Sequence, residues 1–212
     1  MNVSIFGATG ATGKLLTDRC LAAGHTVKVL ARDPRSFRFA GYVETIQGDA
    51  KDEKAVRETV QGADVVLNAL GARSLRKEDV LEVAVPLIVR SMQEQGVRRI
   101  IALGSAGVLP NAMDKQPAYR KWLVENILYK TFLRWPVASQ RAQYAALCTS
   151  GLDWTMVMPP MLVNEPAKGT YRIDPDALPP GASRISRVDV ANFMMAQIGN
   201  SEWVGKGVYI SW

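Results

Sequence analysis

The sequence predicts a three-layer α/β fold: a doubly wound, mainly parallel sheet with helices on both faces. Three observations predict it. Short β-branched runs alternate along the chain with longer segments of helical period. Glycines close those helical segments, Gly24 after the first and Gly96 after the long central one. A glycine-rich turn, Gly7-Ala-Thr-Gly10-Ala-Thr-Gly13, stands at the first strand-to-helix junction. Strands that alternate with helices form parallel βαβ units covered on both sides. With a glycine turn at the first crossover, the strand order expected is 3-2-1-4-5-6, that of the dinucleotide-binding Rossmann fold.

The elements follow in order. Asn2–Phe6 reads as a buried strand and Thr12–Ala23 as the first helix. Thr26–Ala31 and Val43–Gln47 are the second and third strands, and Lys51–Val60 is a helix with a charged face. Ala63–Asn68 is the fourth strand, followed by a long helix over Asp79–Gln95 in which Pro86 can introduce a kink. Arg99–Leu103 and Asp153–Met158 are the fifth and sixth strands. Gly169–Ile173 and Gly207–Ser211 read as short extra strands, and Val188–Gln197 as a late helix. The Pro-Pro pairs at 159–160 and 179–180 mark loops. No internal repeat or low-complexity linker divides the 212 residues, so one dinucleotide-binding domain over 1–212 is expected.

Composition bounds the function. Hydrophobic residues make up 48% and charged residues 22%, a balance that supports a packed core. No stretch has the roughly 20 apolar residues of a membrane-spanning helix. The opening Met1-Asn-Val-Ser-Ile-Phe-Gly7 lacks the basic leader of a signal peptide, so a cytoplasmic protein is expected. Cys20 and Cys148 have no nearby partner in sequence and read as reduced, core-filling thiols. The formal charge of +6 comes without a dense Lys/Arg run, which points to an anionic small ligand and away from nucleic acid. Membrane contact is not expected, and the chain should be a monomer or weak homodimer. His25 is the only histidine and sits at the amino edge of the sheet, so no metal site is expected.

The glycine turn carries the first chemical argument. A helix amino end exposes unpaired N–H groups and a partial positive charge, and glycine lets the backbone approach a diphosphate there. Gly7, Gly10 and Gly13 with Ala11 form that cradle, and Thr9 and Thr12 can add hydroxyl donors. The spacing G-x-x-G-x-x-G differs from G-x-G-x-x-G by one residue. A Walker loop is excluded, because Ala8 stands where its first glycine belongs and Leu15 follows Lys14 in place of Ser or Thr.

The end of the second strand selects the cofactor. An acidic residue there binds the 2′-hydroxyl of NADH, whereas an arginine accommodates the 2′-phosphate of NADPH. The chain reads Val29-Leu-Ala-Arg32-Asp33-Pro34-Arg35-Ser36, so NADPH is expected, held by Arg32 and Arg35. Asp33 either caps the turn before Pro34 or binds a ribose hydroxyl. Asp49 and Ala50 should flank the adenine, and Ala69, Leu70, Gly71 and Arg73 should run beneath the phosphates and ribose.

The reacting end lies past the fifth and sixth strands. Ser105, with Pro159 and Pro160, should bracket the nicotinamide, and Ser105 is the hydroxyl placed to orient a substrate or relay a proton. Ala106, Met158, Met161 and Leu162 are the expected apolar platform for a substrate. The tyrosine-lysine pair of ordinary alcohol dehydrogenases is missing: Tyr119, Tyr129 and Tyr144 have Leu123, Leu133 and Cys148 where the lysine belongs. The acceptor expected is therefore aromatic or conjugated, taking hydride without a positioned acid. The segment 112–134 is rich in aromatic and basic residues. It reads as a helix packed on the sheet beside the site, as an amphipathic lid, or as a surface for a membrane or partner.

Taken together, Gly7–Gly13, Val29–Asp33, Leu70–Arg73, Ser105-Ala106, Val157–Pro160 and Ser183–Ala191 resemble the NADPH-dependent flavin reductase, or biliverdin reductase B, group of atypical short-chain dehydrogenases. The resemblance implies reduction of flavins or biliverdin-like pigments by NADPH, with Arg32 on the 2′-phosphate and Ser105 facing the substrate. The chain departs from that group at Met161, where the group carries histidine after the Pro-Pro pair. Two other readings share the fold: a non-catalytic redox-sensing regulator of the NmrA-like type, and a sugar-nucleotide epimerase or dehydratase. The second is weakened by the short chain and the missing tyrosine-lysine pair.

Overall fold

The computed structural model describes residues 1–72 and 74–212. Its first half runs β1 (Asn2–Phe6), α1 (Ala11–Ala22), β2 (Thr26–Ala31), β3 (Glu44–Gln47), α2 (Glu53–Val60), β4 (Val65–Asn68), α3 (Val80–Glu94) and β5 (Arg99–Leu103). The second half runs α4 (Ala118–Leu123), a π-helical stretch (Val124–Phe132), α5 (Arg134–Cys148), β6 (Asp153–Met158), β7 (Met161–Val163), β8 (Arg172–Asp174), β9 (Arg184–Ser186), α6 (Arg187–Ala196) and β10 (Lys206–Ser211).

The main sheet has the order β3-β2-β1-β4-β5-β6-β10-β8. The predicted six-strand order is present and is extended by β10, parallel to β6, and by β8, antiparallel to β10. Strands β7 and β9 form a separate parallel pair. The extra strand expected at 169–173 begins only at Arg172. Gly169 adopts φ +71° and gives its N–H to a buried carboxylate, which bends the chain there.

Strand alternation divides the core between the two faces of the sheet. Val3 and Ile5 pack with Leu16 and Cys20 of α1 and with Val190 and Met194 of α6. Phe6 and Ile100 face the other way, with Val56 of α2, Ile88 of α3 and Leu147 of α5. The α3 helix carries Pro86 within it and continues to Glu94. Burial raises the Cys20 thiol to about 12, so it stays protonated. Cys148 corrects the sequence reading: it is exposed at the last turn of α5, because the buried face of that turn is taken by Leu147.

Asp189, on the first turn of α6, is fully buried. Its carboxylate accepts the Lys168 and Gly169 N–H groups at 3.0 Å each, the Ser186 hydroxyl at 3.0 Å and the Trp212 indole N–H at 2.8 Å. Its own N–H is capped by Ser186 at 2.9 Å. Burial alone would raise the carboxyl pKa. The hydrogen bonds outweigh burial and hold it below the usual carboxylate range.

Segment 112–134 does not pack as a helix on the sheet. Neither α4 nor the π-helical stretch has a buried residue. The segment is anchored at its start, where Ala112 and Met113 join the core and buried Gln116 donates to the Leu178 and Pro179 carbonyls. Beyond that, Val124 packs on the core and the Tyr129 ring lies over Gly107.

Candidate functional site

The site is built on the carboxyl ends of the parallel strands. At the exit of β1, Gly7 adopts φ +77°, and a Cβ there would stand 2.6 Å from the Ala69 carbonyl. The exits of β1 and β4 therefore meet backbone to backbone, which glycine alone permits. Gly10 gives its N–H to the Gly7 carbonyl at 3.0 Å and begins α1 without a side-chain cap. The first helical bond is Lys14 N–H to Gly10 O, 2.9 Å. The N–H groups of Ala11, Thr12 and Gly13 precede that bond and form the anion-accepting end of the helix. A Cβ on Gly13 would sit 2.1 Å from the Gly7 oxygen, so the turn closes this tightly only with glycine. An uncapped helix start behind a turn with no room for side chains fits a diphosphate.

Beside this turn lies a cleft of about 360 Å³. It brings together Gly7, Thr9, Arg32, Asp49, Ala50, Leu70 and Gly71, as the sequence predicts. Asp33 caps the 3₁₀ turn 34–36, accepting the Arg35 N–H at 3.1 Å, so the first of its two predicted roles is the one found. Arg35 stands apart from Arg32: its side chain is 95% exposed, beside Asp33, and is not among the residues lining the cleft. Arg73 lies outside the described residues.

Sequence reasoning missed the opposite wall, formed by Lys51 and by Lys77, Glu78 and Asp79. Lys51 and Asp79 form an ion pair, and the Lys51 hydrogen bond is the main reason the Asp79 carboxyl is held low. The signal available was the charge run Arg76-Lys77-Glu78-Asp79 just before α3.

At the reacting end, β5 and β6 stay joined beyond their last regular residues. Gly104 N–H bonds to Val157 O at 2.7 Å and Ala106 N–H to Pro159 O at 2.9 Å. Half-buried Ser105 is held between these two bonds. A second brace comes from α5. Buried Gln143 accepts from the Asn68 amide at 2.6 Å and donates to Leu103 O at 3.0 Å. Asn68 in turn accepts the Leu70 N–H at 3.1 Å. One α5 side chain thus fixes the exits of β4 and β5, and nothing in the local sequence marked it.

The predicted apolar platform is not assembled. Ala106 is buried close to Ser105, but Met158 is fully buried, its side chain against Gly207. Met161 is 61% exposed on β7, and Leu162 packs on the core face of α1 and α6. The reason is alternation along one chain: Met158 turns into the sheet core, and the proline pair redirects the next residues into β7. Pro159 is buried and Pro160 half-buried between them.

A second cleft of about 500 Å³ lies between residues 109–113 and the π-helical stretch with α5. Met113 and Val137 supply apolar walls, and Lys121, Lys130, Arg134 and Arg141 outnumber Glu125 on its rim. Arg141 Nε donates to Val108 O at 3.1 Å, tying this cleft to the loop after Ser105. Tyr129 borders it with a hydroxyl that burial pushes up to about 12. That is the reverse of the shift a lysine partner would give, so Tyr129 is not tuned as a general acid near neutrality.

Comparison with known proteins gives the same picture. The profile of a family described as NAD(P)H-binding matches residues 7–201. A candidate exported protein from Burkholderia pseudomallei superposes with a TM-score of 0.81 at 24% identity, covering 100% of both chains. A wide-type short-chain dehydrogenase/reductase from Veillonella parvula, solved in complex with NADP, gives 0.81 at 19% identity over 100% of this chain and 94% of that one. ChuY, an anaerobilin reductase from Escherichia coli O157:H7, gives 0.78 at 18% identity over 100% and 97%. These likenesses show a shared fold. The chain spans 12% of the length of the curated relatives it matches first. Among the described residues, no helix is long and apolar enough to cross a membrane.

Proposed function

The chain belongs to the NAD(P)H-binding family, and on that footing we propose that residues 1–212 form one domain acting as an NADPH-dependent reductase of flavin-, quinone- or biliverdin-like acceptors. The observation that carries the reading is one cleft lined both by Gly7 and Thr9, in the turn that leads into the uncapped start of α1, and by Arg32. The N–H groups of Ala11–Gly13 and the Thr9 hydroxyl hold the diphosphate, and Arg32 takes the 2′-phosphate with two parallel N–H donors. Bound there, the nicotinamide dinucleotide supplies a hydride. Ser105, fixed between the exits of β5 and β6, orients the ring that receives it. The basic rim of the second cleft favours acceptors that carry phosphate or carboxylate groups.

Two experiments test this. Arg32→Ser is expected to weaken NADPH binding by about 10- to 100-fold, roughly 1.4 to 2.8 kcal/mol, while leaving NADH nearly unchanged. Calorimetric titration of both cofactors reads the outcome, and equal losses for the two would reject the phosphate assignment. NADPH oxidation should accelerate with FMN, riboflavin or a quinone, with FMN favoured over riboflavin by about tenfold in kcat/KM. Rates at the uncatalysed background for all three would reject the reductase. Tight NADPH binding without turnover would leave the redox-sensing regulator as the reading.

A further inference from the structure

Most of the exposed large hydrophobic side chains among the described residues lie on one short segment. Tyr119 is 76% exposed, Trp122 60% and Phe132 61%, and Leu123, Ile127 and Leu128 are exposed beside them. Neither α4 nor the π-helical stretch buries a residue, so the core gives no account of these side chains. The winding explains how they share a face. The stretch bonds i to i+5, as in Leu133 N–H to Leu128 O at 2.9 Å. Residues four and five apart therefore stack, which lines up Leu123, Ile127, Leu128 and Phe132. Tyr129, between them in sequence, turns inward onto Gly107.

Charge selects the occupant. Within residues 118–135 the charged side chains are Arg120, Lys121, Lys130 and Arg134 against Glu125 alone. Lys130 and Arg134 are exposed, and Arg134 lies over the Trp135 ring at 4.1 Å. Arg120 and Lys121 are partly used by the body, through Gln116 and Asp114. A two-fold contact between copies would bring the same basic rim against itself. An anionic bilayer instead receives aromatic and aliphatic side chains in its interface and neutralises the cations around them.

We propose that the face formed by α4 and the π-helical stretch seats the protein on anionic lipid surfaces, without spanning them. This replaces the sequence-based expectation of no membrane contact. It does not depend on the cofactor assignment, and its apolar side chains lie outside both clefts; of its cations, Lys130 and Arg134 also border the second cleft.

The test is flotation of the full chain with vesicles of phosphatidylcholine alone and of equal parts phosphatidylcholine and phosphatidylglycerol. The protein should float with the mixed vesicles at least about tenfold better than with the neutral ones, less so as salt is raised. Trp122→Ser with Phe132→Ser should lower that binding about tenfold. Lys130→Gln with Arg134→Gln should remove the preference for anionic lipid. All four side chains are exposed, and circular dichroism of each variant reports that the fold survives. Absence of flotation, equal flotation with both vesicle types, or a stable dimer split by Trp122→Ser would each overturn the proposal.

Discussion

Gly13→Ala is expected to remove dinucleotide binding almost completely. The new Cβ would lie 2.1 Å from the Gly7 oxygen and 2.7 Å from the Ala8 Cα. Both are backbone atoms, so no side-chain rotation relieves the clash and the turn itself must open. Opening it displaces the Ala11, Thr12 and Gly13 amides that meet the diphosphate. It also pushes on Gly7, which is already against the Ala69 backbone. A loss of at least about 100-fold in NADPH affinity, roughly 2.8 kcal/mol, is expected. Gly10→Ala provides the comparison: its Cβ would meet only the Gly7 oxygen, at 3.3 Å, and the loss should stay within about tenfold. Calorimetry checks the affinities, and circular dichroism checks that both variants fold. Near-normal NADPH affinity in a folded Gly13→Ala protein would refute the cradle.

Asp189→Ala should be the most destabilising single change outside the cleft. It takes away the buried acceptor shared by four donors: two backbone amides, the Ser186 hydroxyl and the Trp212 indole. It also frees the chain end from the 168–169 turn and from α6. A loss of about 3 to 5 kcal/mol is expected, with Asp189→Asn intermediate because its amide retains one accepting oxygen. The acid dependence has a definite sign. The folded carboxyl is held below its unfolded value of about 3.9, so its contribution is fully present above that pH and is lost as pH falls through the folded value. Denaturant unfolding at a series of pH values should show a wild-type decline in acid that Asp189→Asn partly lacks. Identical acid profiles would show that this carboxylate is not the sensitive group.

The fold was legible because periodicity and glycine placement are local signals. Gly7, Gly10 and Gly13 announced the first crossover, and buried β-branched runs gave the six parallel strands. Arg32 was readable for the same reason, since a strand end fixes which way the cleft faces. Arg35 was not, because a side chain three residues further on depends on how Asp33 caps the turn. Lys51 and Asp79 are 28 residues apart and are paired only by the fold. Gln143 is further still from Asn68, and its amide looked like any polar residue of a helix. Met158 is buried against Gly207 and apart from exposed Met161, because adjacency to the proline pair says nothing about which face of the sheet a residue enters. The π-helical winding of 124–132 left no mark in sequence either, since it alters which residues stack and not which are present.

The Gln143 amide has a mechanical consequence. Because one side chain grips two strand ends, a shift of α5 is transmitted to the exits of β4 and β5 together.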